Sequence, residues 1–334
     1  MKTLPAFAKD YFRAIEPTTS TKTRISYAYD IRIFFQFLIS QNPSLAKIGI
    51  PNLNVSVLDQ LKPIDIEEYM EYLKLYDSPN DQTTITNGER GLKRKISSLR
   101  SFYTYYYKRQ AIETNPVQLV DMPKIHDKAI IRLDAGETAA LLDYIEHCGD
   151  QLTGQRKAYY EKTKLRDLAI VTLLLGTGIR VSECVGLDVE DIDFRNNGIR
   201  LIRKGGSEMV VYFGPEVEKA LKDYLEARKA ISPLEGHEHA LFYSTQRKRI
   251  GVQAVENLVK KYARAITTTK KITPHKLRST YGTTLYQETG DIYLVADVLG
   301  HKDVNTTKKH YAAMDDARRR KAATAIRLRE DYED

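Results

Sequence analysis

Apolar residues recur at helical spacing through most of the chain. Ile25, Ala28, Ile31, Phe35 and Leu38 fall at three- and four-residue steps, which predicts an amphipathic helix over 20–40. Ser20 and Thr21 are its candidate caps, and Asn42–Pro43 is its stop. The segment 42–62 carries Pro43, Gly49 and Pro51 and reads as a loop. A second helix follows Pro63, with Asp65 as N-cap and Ile66, Met70 and Leu73 facing inward. A third spans 87–110, where Leu92, Ile96, Leu99, Tyr103 and Tyr106 form the inward stripe. Lys93, Arg94, Lys95 and Arg100 lie mostly off that stripe, giving this helix a basic face that is a candidate DNA-binding surface.

Asn115–Pro116 ends the first helical region, and 121–131, with Pro123 and mixed charge, reads as a linker. Helix resumes at Asp134, where Asp134-x-x-Glu137 has capping-box spacing. The polar stretch 148–164 reads as a surface insertion or a helix extension, and 165–175 as a buried helix. Gly176-Thr177-Gly178 breaks that helix and presents Arg180 just before a short one over 181–187. Period-two alternation then takes over in three runs: Ile192 and Phe194; Ile199, Leu201 and Ile202; Val210, Val211 and Phe213. Gly205–Gly206 is a hairpin turn between the last two, so the prediction is a three-stranded antiparallel sheet with Lys204 at the tip. Helices are predicted over 216–231, 251–266, 275–288, 292–299, 306–311 and 315–329. The fold class is therefore mainly α with a small antiparallel β-sheet.

Composition sharpens this only where charge is local. A chain of 334 residues favours two domains. Its net charge of +8 suits an acidic partner, and two segments concentrate it: 90–109 and 260–278 each hold seven Lys or Arg and no Asp or Glu. One such run is commonly a solvated helix face; two in separate domains favour a clamp on a polyanion. Tyr103, Tyr105, Tyr106 and Tyr107, interleaved with cations, could stack on bases or touch phosphates, but core packing with an amphipathic rim is the favoured reading. The two cysteines, Cys148 and Cys184, show no metal spacing and fit a reducing compartment. The start, MKTLPAFAKDYF, lacks the apolar core of a signal peptide, and the longest apolar run, 168–175, is too short for a bilayer. A cytoplasmic protein without membrane contact is expected.

The chemistry gathers in TPHKLRSTYGTTLYQETGDIYLVADVLGHKDVNTTKKHY, 273–311. His275 and Arg278 stand at i, i+3 and share a helix face; Gly300–His301 follows, and Tyr311 comes ten residues after His301. A tyrosine, two histidines and an arginine suit metal-free cleavage of a phosphodiester. The phenol attacks phosphorus, cations hold the oxygens that gain charge, and a histidine handles a proton.

This stretch resembles the C-terminal signature of the tyrosine recombinases, the lambda-integrase family: H-x-x-R, then L-G-H, then a tyrosine about ten residues on. GTGIRVSECVGL, at 176–187, resembles the family's first arginine box and matches Arg180 to it. IRLIRKGGSEMVVYF resembles the family's β-hairpin lysine and matches Lys204. Six positions therefore correspond, in the family's order, and the chain looks closest to the Xer-like bacterial members. The resemblance assigns Arg180 and Arg278 to the non-bridging oxygens, Lys204 as general acid to the 5′ oxygen, and His275 and His301 to phosphate and proton contacts. Tyr311 would be the nucleophile and form an O-(3′-phospho-DNA)-tyrosine intermediate. Glu183, one turn past Arg180, is a candidate to orient it. Arg203 and Lys164 are rival cations for the role of Lys204; Tyr281, Tyr286 and Tyr293 are rivals for Tyr311, with spacing that suits a helix core better.

The resemblance further implies a helical core-binding, SAM-like DNA-binding domain over 1–115, a linker over 116–131, and a catalytic domain over 132–334 ending in a tail helix. Together these would form a C-shaped clamp on DNA. It implies double-stranded DNA as partner, a dimer per site, a homotetramer on DNA, and a partner recombinase or an accessory DNA-bending protein as a further option. The tail helix would dock on a neighbouring subunit or on its own. No cofactor or metal is expected: there is no GxxxxGK[ST] loop or carboxylate cluster, and His237-x-His239 reads as a polar loop. Exchange would pass through a Holliday junction, in Xer-type chromosome dimer resolution or mobile-element integration. A type IB-like topoisomerase and a non-cleaving architectural protein are the alternatives.

Overall fold

The computed structural model describes residues 3–77, 83–126, 130–203, 206–300 and 304. The chain divides into two compact units, Met1–Lys128 and Ala129–Asp334.

The first unit is helical, with one small hairpin. Its elements are α1 (Ala8–Ala14), α2 (Thr21–Gln41), α3 (Pro43–Ile48), α4 (Pro63–Tyr72), β1 (Leu75–Asp77), β2 (Thr84–Thr86), α5 (Glu89–Lys108) and α6 (Pro116–Leu119). Ser20 caps α2 by accepting the Thr23 amide at 3.2 Å. Asp65 stands inside the first turn of α4, where its carboxylate accepts the Lys62 amide at 2.6 Å. It is thus the back-bonding third residue and not the N-cap, because Pro63 already occupies the first turn. The core joins Ile31, Phe34, Phe35 and Leu38 of α2 to Ile66 and Tyr69 of α4 and to Ile96, Leu99, Phe102 and Tyr103 of α5. Val117 of α6 and Val120 pack into the same core. Ile25, expected inward, is 52% exposed. Short α1, α3 and the β1–β2 hairpin lie below the length at which periodicity is readable.

The second unit runs through α7 (Ala135–His147), α8 (Gly154–Thr177), α9 (Val181–Gly186), β3 (Ile192–Asp193), β4 (Gly198–Ile202), β5 (Glu208–Tyr212), α10 (Pro215–Arg228), α11 (Val252–Ile266), α12 (Pro274–Thr289) and α13 (Ile292–Leu299). The capping box at the start of α7 forms: Asp134 accepts the Glu137 amide, and Glu137 accepts the Asp134 amide, both at 2.8 Å. The polar stretch 154–164 is the first half of α8, so the helix-extension reading holds there. Ala169–Leu174 is buried throughout, and α7, α10 and α12 pack around this central helix. At about 1.5–3 kcal/mol per fully buried large apolar side chain, α8 anchors the unit. Inside it, Asp167 accepts from Arg166 Nη2 at 2.6 Å and from the Tyr262 hydroxyl at 3.0 Å, so a charge in the core is paired.

The three strands form the predicted antiparallel sheet in the order β3–β4–β5, with Ile199 opposite Val211 and Leu201 opposite Met209. Ile199, Leu201 and Val211 face the core, while Ile202, Val210 and Tyr212 are exposed. Gly206, at φ +81°, helps close the β4–β5 hairpin. Among the described residues no helix is long and apolar enough to cross a membrane.

Candidate active site

The site is assembled on the carboxyl end of α13. Asp291 starts that helix by accepting the Tyr293 and Leu294 amides at 2.8 and 3.1 Å, and Gly300 ends it at φ +59°. The last carbonyls of a helix lack intrahelical partners and carry partial negative charge. Three guanidiniums from three distant segments take them. Arg203 Nη2 donates to Val298 O at 2.9 Å, Arg278 Nη2 to Leu299 O, and Arg180 Nη2 to Gly300 O at 3.4 Å.

Each arginine is delivered by local geometry. α8 ends on Gly178 at φ +63°, whose amide bonds Leu174 O at 3.1 Å. A Cβ on Gly178 would stand 2.3 Å from the Tyr281 ring, so glycine is required by both conformation and space. The turn brings Arg180 to the N-cap of α9. There Glu183 accepts the Arg180 amide at 2.7 Å and its Nη1 at 2.8 Å, the contact that the expected orienting role requires and that an ordinary helical salt bridge also makes. Pro274 opens α12, His275 stands exposed in its first turn, and Arg278 follows buried, 4% exposed. Arg278 Nη1 donates to Gly178 O, so this one guanidinium joins the end of α8 to the end of α13.

The structure thus brings Arg180 and Arg278 to consecutive carbonyls, with His275 one turn before Arg278. Lys204, His301 and Tyr311 lie outside the described residues, as do the predicted helices over 306–311 and 315–329. Of the rival cations, Lys164 pairs with Glu161 at 2.9 Å on α8. Arg203 is 10% exposed, and burial lowers its pKa below the usual guanidinium value, with nearby Arg180 adding to the effect. In the sequence Arg203 is only a cation beside Lys204; its burial against Gly300 is legible in the structure alone. Of the rival tyrosines, Tyr281 and Tyr286 pack in a small core with Val295 and Leu299, and burial raises the Tyr281 pKa. Tyr293, expected in a core, is 70% exposed on α13.

On α5 the basic face is smaller than the spacing suggests. Lys93 and Arg94 are exposed, and Arg94 also reaches the Asp30 carboxylate. Lys95 is only 7% exposed, with Nζ 3.9 Å from Asp30 Oδ1, and Arg100 Nη2 donates to Val117 O and Val120 O, both at 3.0 Å. These two cations therefore serve the fold of the first unit: α2 packs against α5 and covers Lys95, and α6 packs against α5 beside Arg100. His239, of the His237-x-His239 pair, shares a hydrogen bond of 2.7 Å with Glu190. Among the described residues no three or more His, Cys, Asp or Glu are grouped to hold a metal.

This helical unit with a small sheet thus holds three guanidiniums on one helix end, with an exposed histidine one turn before Arg278, a grouping whose charge suits phosphate oxygens. The family model described as "Phage integrase family" matches residues 132–318, and the chain belongs to this family of site-specific enzymes that cleave and rejoin DNA. It is 33% identical over 324 residues to tyrosine recombinase XerC of Caldanaerobacter subterraneus subsp. tengcongensis, covering 94% of this chain and 83% of the relative. It is 30% identical to tyrosine recombinase XerS of Streptococcus equi subsp. zooepidemicus, covering 91% and 90%. Its fold is similar to that of the XerH site-specific recombinase solved with palindromic difH substrate after cleavage, at a TM-score of 0.67 and 19% identity, over 90% of this chain and 79% of that one.

Proposed function

We propose that Arg180, Lys204, His275, Arg278, His301 and Tyr311 are the catalytic set, and that Tyr311 breaks one DNA strand at a time. The phenol oxygen forms a bond to phosphorus as the P–O5′ bond breaks, leaving a 3′-phosphotyrosyl linkage and a free 5′-hydroxyl. Arg180 and Arg278 hold the non-bridging oxygens, and Lys204 protonates O5′. His275 receives the phenol proton, and His301 donates to the phosphate. A phenol of pKa near 10 needs such a base and such positive charge to attack at neutral pH. Attack by the 5′-hydroxyl of the partner strand then reseals the backbone, and two rounds pass through a Holliday junction.

The observation that carries this reading is the pair of arginines on the consecutive carbonyls of Leu299 and Gly300. We further propose that the helical segment 1–115 binds duplex DNA, that 116–131 links it to the catalytic domain 132–334, and that two protomers occupy one site and four a synapse. Similarity to XerC and XerS favours an Xer-type role on chromosomal DNA in the cytoplasm.

A nicked duplex carrying the target site tests the chemistry. The 5′-hydroxyl fragment diffuses away and traps the covalent complex. A denaturation-resistant adduct is expected with the intact chain and with none of it in Tyr311→Phe. An undiminished adduct in Tyr311→Phe would assign the nucleophile elsewhere.

A further inference from the structure

We propose that Arg203 is a positioning residue that ties the β4–β5 hairpin to the Gly300 turn and so holds Lys204 at the leaving-group oxygen. This rests on Lys204 being the general acid.

Arg203 follows the last residue of β4 and is covalently joined to Lys204. Its backbone closes the hairpin: its amide donates to Ser207 O at 2.8 Å, and its carbonyl accepts the Gly206 amide at 2.9 Å. An arginine at a hairpin end ordinarily extends its charged head into water. This one turns inward and is 10% exposed. Nη2 donates to Val298 O at 2.9 Å, and Nε lies 3.9 Å from Glu183 Oε1, on the carboxylate that also holds Arg180. The guanidinium lies so close to Gly300 that a Cβ there would stand 1.2 Å from Nη1. Only a glycine at φ +59° admits it, and Gly300 is covalently joined to His301.

One side chain therefore links α9, the end of α13 and the end of β4, beside the Glu183 carboxylate that holds Arg180. Desolvating a guanidinium is costly, and the contacts that offset the cost go to backbone and to Glu183. A β-hairpin fixed only by its own turn can swing, whereas a general acid must stay within hydrogen-bond reach of the oxygen it protonates. Arg203 is not that acid itself, because a guanidinium keeps its proton near neutral pH. In the step concerned, the Tyr311 O–P bond forms, the P–O5′ bond breaks, and the proton of the Lys204 ammonium passes to O5′.

A 5′-bridging sulfur gives the test, because a thiolate leaves without protonation. The full chain is assayed on nicked duplexes with oxygen or sulfur at that position. With oxygen, Arg203→Ala should cleave about 10- to 100-fold more slowly at saturating duplex, with the KM for duplex unchanged. With sulfur it should return to the rate of the unsubstituted chain, as Lys204→Ala should, whereas Arg180→Ala should not. Arg203→Lys, which keeps the stem and the charge but not the fork, should follow the same pattern if Arg203→Ala folds poorly. Lys204→Ala rescued by sulfur with both Arg203 variants equally slow on the two duplexes overturns the inference alone. An Arg203 variant at full speed on oxygen overturns it too. Failure of sulfur to rescue Lys204→Ala would instead overturn the assignment of the acid.

Discussion

Glu183 holds Arg180 at both ends: one carboxylate oxygen accepts the Arg180 amide at 2.7 Å and the other accepts its Nη1 at 2.8 Å. The carboxylate side chain is 7% exposed, while the arginine side chain is 40% exposed. Glu183 thus starts α9 and aims a guanidinium that still faces solvent. The two duties separate on substitution. Glu183→Gln keeps an oxygen for the amide but loses the charge opposite Nη1. It should leave the melting temperature nearly unchanged and slow adduct formation by about 10- to 100-fold. Glu183→Ala also loses the cap, at about 1 kcal/mol further. Thermal melts and single-turnover cleavage, run on both variants, check the separation. Parallel losses of stability and rate in Glu183→Gln would make its role purely structural.

Arg278 spans two carbonyls, Gly178 O and Leu299 O, from a site 4% exposed. A lysine ammonium is a single point and cannot replace a planar fork. Arg278→Lys should leave at least one buried carbonyl unpaired, costing about 1–3 kcal/mol. In the phosphate-binding role proposed for Arg278, the same change should lower cleavage by about 10²–10³-fold. Urea unfolding and adduct yield measure the two effects independently. A stable Arg278→Lys chain that cleaves normally would remove this residue from the site.

How much of this was legible in the sequence follows from what each feature depends on. Among the described residues, the long helices, the three-stranded sheet and the capping box at Asp134 rest on local periodicity and side-chain spacing, and they stand where the pattern put them. Arg180 was reached through the family resemblance of its motif, Arg278 through its i, i+3 spacing from His275 together with that resemblance, and Glu183 through its place one turn past Arg180. Lys95 and Arg100 were misplaced because helical spacing gives an angle around α5 but not what packs there; α2 brings Asp30 to Lys95, and α6 brings carbonyls to Arg100. Arg203 was illegible for the same reason: its partners stand at 183, 298 and 300, and no local pattern announces contacts across such separations.

Cys184 supplies a pH dependence. It is fully buried in the core of the second unit, and desolvation pushes its thiol up to about 12 from 9.0. Between those values the unfolded chain has released this proton and the folded chain keeps it. Raising the pH therefore favours unfolding: the contribution is intact below pH 9.0 and is lost towards pH 12, at about 1.4 kcal/mol per pH unit. Urea midpoints measured from pH 8 upward should fall, and Cys184→Ala should fall less steeply. Thiol-reagent labelling of Cys184 should track global unfolding. An identical pH slope in Cys184→Ala would show that other groups account for the decline.

Lys93 and Lys95 stand two residues apart on α5 and should behave oppositely. Lys93 is exposed, whereas Lys95 is buried near an Asp30 side chain that is itself 1% exposed. Burial raises the Asp30 pKa, and Arg94 and Lys95 pull it back, so the carboxylate depends on both cations. Lys95→Ala leaves Asp30 short of one and should destabilise the chain by about 1–3 kcal/mol. Lys93→Ala should change stability by less than about 0.5 kcal/mol. If α5 faces DNA, Lys93→Ala should weaken binding to all duplexes alike and reduce the slope of log affinity against log salt by about one. Lys95→Ala, measured where it remains folded, should keep the full slope. An unchanged slope in Lys93→Ala would place the DNA contact on another face of the first unit.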